Sequence, residues 1–269
     1  MDVSTREYAG GKMLAATEGG VGLVTFNQPE KRNAMSIERW QGLEQILDGF
    51  AADDAVRVVV LAGAGDKAFV SGADISQFEK NRSNADAQVE YDRLTSAGRA
   101  KLANFAKPTI AMIRGFCLGG GLAIAMQTDL RIAGESAQFG IPAARLSIAY
   151  AFDGLRKLVQ LVGPAHARMI LYTANRISAR EAERIGLINQ AVADSSLQET
   201  VMGIARTIAE NAPLSIAASK LTISEVMKDP ADRDMEAVRR AGATCFDSAD
   251  YKEGRTAFME KRAPRFTGR

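Results

Sequence analysis

Apolar and polar residues along the 269-residue chain fall into two patterns, short unbroken apolar runs and longer periodic stretches. The run Val21–Asn27 (VGLVTFN) is rich in β-branched and aromatic residues and predicts a strand. Val56–Gly63 (VRVVVLAG) is apolar without alternation, which predicts a strand covered on both faces. Thr109–Gly115 (TIAMIRG) and Asp129–Gly134 (DLRIAG) read the same way. Between these runs lie helical stretches. Ser36 stands as an N-cap before a helix reaching about Ala51. Asn84–Phe105 is polar and periodic, and Lys107-Pro108 closes it because the residue before proline avoids the helical region. The segment 64–78 (AGDKAFVSGADISQF) is punctuated by glycine and reads as a loop. Strand and helix alternate, so the class is α/β.

From Gly154 the strand pattern stops. Gly154–Gly163, Pro164–Ala174, Ser178–Gly186, Gln198–Glu210, Pro213–Lys228 and Asp232–Glu260 all predict helices. Pro164 and Pro213 suit first-turn positions and Ser178 an N-cap. The chain thus divides into a core, residues 1–200, and a C-terminal helical region, residues 201–269, of the kind that packs on the core or on a neighbouring subunit.

Composition narrows the function. A net charge of +2 gives no field for nucleic acid or a membrane surface. No stretch approaches the roughly 18 apolar residues of a membrane span. The opening MDVSTREYAGGK lacks the apolar run of a secretory leader, so a cytoplasmic protein is expected. The two cysteines, Cys117 and Cys245, are far apart and suggest neither disulfide nor zinc site. With one histidine, His166 at a helix start, neither a histidine triad nor a multi-histidine metal site is expected. Nucleotide loops fail too. A G-x-G-x-x-G from Gly63 meets Ala68 where glycine is required, and G-K-[ST] is absent.

Two glycine turns remain, FVSGADI (Phe69–Ile75) and LGGGLAIA (Leu118–Ala125). Each follows a predicted strand, and the second opens a helix whose first N–H groups have no partner in the helix. Two such N–H groups aimed at one point make an oxyanion hole. Tight turns needed only for packing explain the same spacing equally well.

SGADI, LGGG, DLRIAGESAQFGIP, AREAERIGLIN and FMEKRAPRF together resemble the crotonase, or enoyl-CoA hydratase/isomerase, superfamily, over roughly Val21 to Phe266. The resemblance implies a crotonase-type spiral of ββα turns and a C-terminal region that trimerises, often into a hexamer of two trimers. It implies an acyl-CoA thioester as substrate, with no separate cofactor and no metal. The N–H groups of Ala73 and Gly120 match the family's oxyanion pair. Its CoA-contacting segments map onto Lys31, Arg32 and Ala34, onto Ser71, and onto Ala73 to Ser76, including Asp74 and Ile75. Phe258 and Lys261 match a CoA contact often supplied by an adjacent subunit.

One departure stands out. Hydratases of this family carry two glutamates twenty positions apart that hold water and protonate the α-carbon. The matching positions here are Ala123 and Ala143. General acid–base groups contribute about 10²–10⁴-fold each, and alanine supplies none of it. The loop Ala143–Gly154 offers Tyr150 and Asp153 instead. Tyr150 aligns with a tyrosine of methylmalonyl-CoA decarboxylases, relatives within the superfamily, whose reaction makes an enolate by losing CO₂. Those relatives keep a glutamate at the position of Ala123 and a histidine at that of Ala73. Tyr150 is either pocket wall or proton donor. Asp153 is either an N-cap or first-turn residue or, as in the related aromatic acyl-CoA dehalogenases, a nucleophile. Glu90 and Asp92 lean over the pocket or belong to a solvated helix face. The expected activity is a CoA-thioester reaction through a stabilised enolate, by a lyase or isomerase. Decarboxylation and a non-catalytic acyl-CoA-binding oligomer are the alternatives.

Overall fold

The computed structural model describes residues 5–74 and 85–269. A seven-stranded sheet forms the body: β1 (Arg6–Tyr8), β2 (Met13–Glu18), β3 (Val21–Phe26), β4 (Val58–Gly63), β6 (Thr109–Ile113), β8 (Leu130–Gly134) and β11 (Gln190–Val192) are hydrogen-bonded in that order. β1, β2 and β3 pair antiparallel, and β3, β4, β6, β8 and β11 pair parallel. β4 shows why its sequence does not alternate. Val59 and Leu61 enter a core with Leu43, Ile46, Leu47 and Phe50 of α1 (Ile37–Ala52). Val58 and Val60 enter a second core on the opposite face with Leu197, Val201 and Ala205 of α6 (Leu197–Glu210). Both faces are covered, so every position is apolar.

A smaller, four-stranded sheet stands beside it in the order β10 (Ile177–Ser178), β9 (Gln138–Gly140), β7 (Phe116–Leu118) and β5 (Ala68–Val70). β5 lies in the segment 64–78 expected as a loop and is a strand here. β5, β7 and β9 run parallel, and β10 pairs antiparallel with β9. Each strand has two or three residues, too short for a periodic signal.

The remaining helices are α2 (Ala85–Ala103), α3 (Gly120–Gln127), α4 (Phe152–Thr173), α5 (Ala179–Arg184), α7 (Pro213–Val226), α8 (Met235–Asp247) and α9 (Ala249–Glu260). α4 breaks at Gly163 (φ 72°, ψ 166°), just before Pro164, so the two helices read from the sequence abut at that break. Ser178 caps α5, its Oγ accepting from Glu181 N at 3.2 Å. Ser36 occupies the N-cap of α1, but its buried Oγ makes no cap bond. The single helix expected over Asp232–Glu260 is two, because Ser248 ends α8 and caps α9, accepting from Tyr251 N at 3.0 Å.

A division at residues 200/201 falls inside α6, which covers the large sheet. The helices beyond it are α7 to α9. α8 buries no residue, and Ile223, Val226, Met227, Phe246, Phe258 and Met259 are exposed among them. The chain after α9 folds back as a strap. Asp250, 4% exposed, accepts from Thr267 N at 2.7 Å and Gly268 N at 2.8 Å. Glu253 accepts from Arg262 at 2.7 and 2.9 Å and from Arg265 N at 2.8 Å. Among the described residues no helix is long and apolar enough to cross a membrane.

Candidate active site

Two turns meet where the sheets adjoin. The first leaves β5 as Ser71–Asp74 and is fastened to the segment Arg32–Met35 by three backbone bonds: Ser71 N to Arg32 O (3.1 Å), Met35 N to Gly72 O (2.8 Å) and Asp74 N to Met35 O (2.8 Å). This bridge uses the groups on either side of the Ala73 N–H and leaves that N–H without an acceptor among the described residues. The second turn leaves β7. Gly119, at φ 50° and ψ −114°, holds a conformation open only to glycine, and its N–H bonds Gly140 O at 2.8 Å. α3 then begins at Gly120. Its first backbone bond runs from Ala123 N to Gly119 O (3.0 Å), so the Gly120 N–H has no partner within the helix.

The turns are pressed together. A side-chain carbon on Gly120 would lie 3.7 Å from Ala73 N, and one on Gly121 would lie 1.9 Å from Val70 O. Two free donors, one at a positive helix end, therefore sit side by side on rigid backbone. Gly121, Leu122, Ile124, Ala125 and Met126 of α3 are buried, which leaves Gly120, Ala123 and Gln127 as its open stripe. Ala123 lies one turn along that stripe from the free donor.

The segment facing the first turn is itself over-determined. Arg32 (φ 51°) and Asn33 (φ 57°) both adopt the left-handed conformation, uncommon away from glycine. Buried Asn33 holds them there, donating to Ala64 O (3.0 Å) and Ala68 O (2.9 Å) and accepting from Gln28 N (2.9 Å). Arg39, fully buried, reaches back from α1 to Ala34 O and to Gln28 Oε1, and burial lowers its pKa. Lys31 pairs with Asp74 at 3.1 Å. Lys31, Arg32, Ala34, Ser71, Ala73, Asp74 and Gly120 are thus brought into one neighbourhood. Ile75 and Ser76 lie outside the described residues. Neither Asn33 nor Arg39 is evident as a site residue from the sequence. Asn33 carries a signal, since asparagine is the non-glycine residue that best tolerates the left-handed region.

The enoyl-CoA hydratase/isomerase family model matches residues 16–269. The chain belongs to the enoyl-CoA hydratase/isomerase family. It is 38% identical over 250 residues to the short-chain-enoyl-CoA hydratase of Clostridium acetobutylicum, covering 93% of this chain and 95% of that one. It is 38% identical to the crotonyl-CoA hydratase of Syntrophomonas wolfei, covering 94% and 97%. A crystal structure of an enoyl-CoA hydratase/carnithine racemase from Magnetospirillum magneticum superposes with a TM-score of 0.92 at 34% identity, over 96% of each chain.

Within this enoyl-CoA hydratase/isomerase fold the wall beyond α3 carries little acid–base chemistry. Ala143 lies in a short 3₁₀ turn, Pro142–Leu146, packed against the main core. Tyr150 packs on that core too, and its ring fills the space beside Gly154, where an added side-chain carbon would come within 2.6 Å of it. Its hydroxyl is buried with no partner. Burial, and next the field of Cys117, push the phenol well above its ordinary range, so it keeps its proton. Asp153 is not the N-cap, a position held by Ala151. It stands in the first turn of α4 with its side chain 85% exposed, 3.9 Å from Arg156. Glu90 and Asp92 lie on an exposed face of α2, paired with Arg93 and Arg99 at 2.7 and 2.9 Å. Half-buried His166 sits on α4 past its break. Phe258, 83% exposed, and Lys261 stand at the end of α9, away from the bonds that join the two turns.

Proposed function

We propose that the chain acts on an acyl-CoA thioester, the Ala73 and Gly120 N–H groups holding the thioester oxygen as it gains charge. One observation carries this reading: the Ala73 and Gly120 N–H groups, without acceptors among the described residues, lie side by side on turns held in place by the bonds of their neighbours. A donor of this kind is worth about 2.7–4 kcal/mol in the transition state. The names of the relatives, hydratases of short-chain and crotonyl-CoA thioesters, support the substrate class.

Ordinary hydration does not fit the open stripe of α3. Ala123 and Ala143 hold no water and move no proton, so the proposed step is formation and protonation of an enolate that needs no water activation. Decarboxylation of a malonyl-type thioester is such a step: the C–C bond breaks, its electrons pass to the thioester oxygen, and a proton returns to the α-carbon. Tyr150 is the proposed donor of that proton, since its hydroxyl is buried, protonated and without a partner. Asp153, in solvent on the first turn of α4, is not carried into this reading. CoA-binding roles for Lys31, Arg32, Ala34, Ser71, Asp74, Ile75, Phe258 and Lys261, and a homotrimer or hexamer built through the C-terminal helices, belong to the same proposal.

The test is a panel of crotonyl-CoA, malonyl-CoA and methylmalonyl-CoA with the purified protein. Turnover of a malonyl-type thioester, lost in Tyr150→Phe, is the expected result. Turnover that survives Tyr150→Phe removes Tyr150 as the donor. Binding without turnover of any thioester leaves a non-catalytic acyl-CoA-binding oligomer, and absence of all binding overturns the substrate class.

A further inference from the structure

We infer that Arg39 is a positioning residue for the Ala73 donor: a chain of two hydrogen-bonded peptide units carries its buried positive charge to the Ala73 N–H. The inference rests on the oxyanion reading above. The chain can be followed bond by bond. Arg39 Nη1 donates to Ala34 O. The Ala34 carbonyl and the Met35 N–H belong to one planar trans peptide unit and point in opposite directions across it. Met35 N donates to Gly72 O at 2.8 Å. The Gly72 carbonyl and the Ala73 N–H belong to a second such unit. That N–H has no acceptor among the described residues. The chain therefore starts on a cation and ends on an open donor.

The direction of the effect follows from the order of the groups. A cation at the head draws electron density through each carbonyl, and each N–H beyond it becomes a stronger donor. Hydrogen bonds in such a chain strengthen one another by about 10–30% per bond. Burial keeps the charge from being screened. Arg39 is 0% exposed, and its acceptors are Ala34 O and, at 2.5 Å, Gln28 Oε1. Gln28 is itself tied to Asn33, its N–H donating to Asn33 Oδ1 at 2.9 Å, so both arms of the fork rest on the segment facing the turn. Arg39 Nε is buried without a partner, and no carboxylate pairs with the guanidinium among the described residues. Of the acidic groups whose fields reach it, Asp74, Glu30 and Glu38, that of Asp74 is largest, and Asp74 pairs with Lys31 at 3.1 Å. The fold alone does not call for such a group, since an apolar side chain of similar size in place of a buried ion is often neutral or stabilising. The bond that Arg39 makes leads to the site.

The experiment is isotope-edited infrared spectroscopy of carbonyl-labelled acetyl-CoA bound to wild type, Arg39→Met, Arg39→Gln and Arg39→Lys, with the thermal midpoint of each protein. The wild type is expected to lower the thioester carbonyl stretch relative to free acetyl-CoA. Arg39→Met and Arg39→Gln should lose about 10–30% of that lowering. Arg39→Lys should retain it, because lysine keeps the charge whereas glutamine keeps only a hydrogen bond. The midpoint of Arg39→Met should hold or rise. Should Arg39→Met fail to fold, the comparison of Gln with Lys decides. Equal lowering in wild type and Arg39→Gln overturns the relay. So does an equal loss in Arg39→Gln and Arg39→Lys, which would mean that the shape of the fork, not its charge, sets the donor. A fall in midpoint with an unaltered carbonyl makes Arg39 structural only. An unshifted carbonyl in the wild type, or no binding of acetyl-CoA, overturns the oxyanion reading itself and the relay with it.

Discussion

The two walls of the candidate site contrast sharply. On one side, the turns at Gly72–Ala73 and Gly119–Gly121 are anchored by backbone bonds through Gly72 O and Gly119 N, and they are packed so closely that a methyl group on Gly121 would strike Val70 O. On the other, Ala123 of α3 and the segment from Ala143 to Asp153 offer two methyl groups, a buried phenol with no partner and a carboxylate in water. In the proposed reading, the difference teaches that stabilising charge and moving protons are separable functions. The first is built into backbone geometry, which no side-chain substitution elsewhere removes. The second depends on individual side chains, and at positions 123 and 143 they are absent.

Breaking the rigid wall should have the largest effect. Gly121→Ala forces β5 and α3 apart and is expected to cost about 3 kcal/mol of stability or more, read as a fall in thermal midpoint, with loss of thioester turnover. Ala73→Pro is the finer cut, since the bridge to Met35 does not use the Ala73 N–H. It should lower kcat by about 10²–10³-fold with a smaller change in stability. Unchanged kcat would remove Ala73 from the hole. On the other wall, Tyr150→Phe deletes an unsatisfied buried hydroxyl, so the protein should gain about 1 kcal/mol while losing on the order of 10²-fold in turnover. A gain in stability with full activity would make Tyr150 pocket wall only.

The smallest expected effect lies far from both walls, in the strap. Hydrogen bonds from Arg262 and Arg265 N hold the Glu253 carboxyl down to about 2, against an ordinary 4.5. A depressed carboxyl stabilises above its unfolded value and loses that contribution as pH falls through its folded one. The difference in thermal midpoint between wild type and Glu253→Gln should therefore be flat above about pH 5 and shrink steadily as pH falls toward 2. A difference constant down to the lowest pH would mean the clasp acts by shape, not charge.

How much of this the sequence disclosed depends on the length of each signal. The long sheet was legible at β3, β4, β6 and β8, strands of five or six mostly apolar residues. The helices were legible from their period and their caps, Ser178 among them. The second sheet was not, because its strands are two or three residues set among glycines and their partners are distant in sequence. The Ser248 break was hidden in a continuous helical pattern. In the site, the glycine turns were readable as turns, but their meeting is a tertiary fact. So is the burial of Arg39 beneath the Arg32–Met35 segment. Asp153 was legible as an acidic residue at a helix start, but not whether it caps the helix or stands in its first turn. Here Ala151 takes the cap and the carboxylate stands two residues on, in the first turn and in solvent.

The claim that charge stabilisation persists here without water-activating carboxylates is tested most directly by crotonyl-CoA hydration, measured for the wild type and for Ala123→Glu/Ala143→Glu. The account predicts a wild-type rate near background and a rise of at least about 10²-fold in the double variant, because the oxyanion donors are already in place. Robust hydration by the wild type, unchanged or lowered in the double variant, would contradict it.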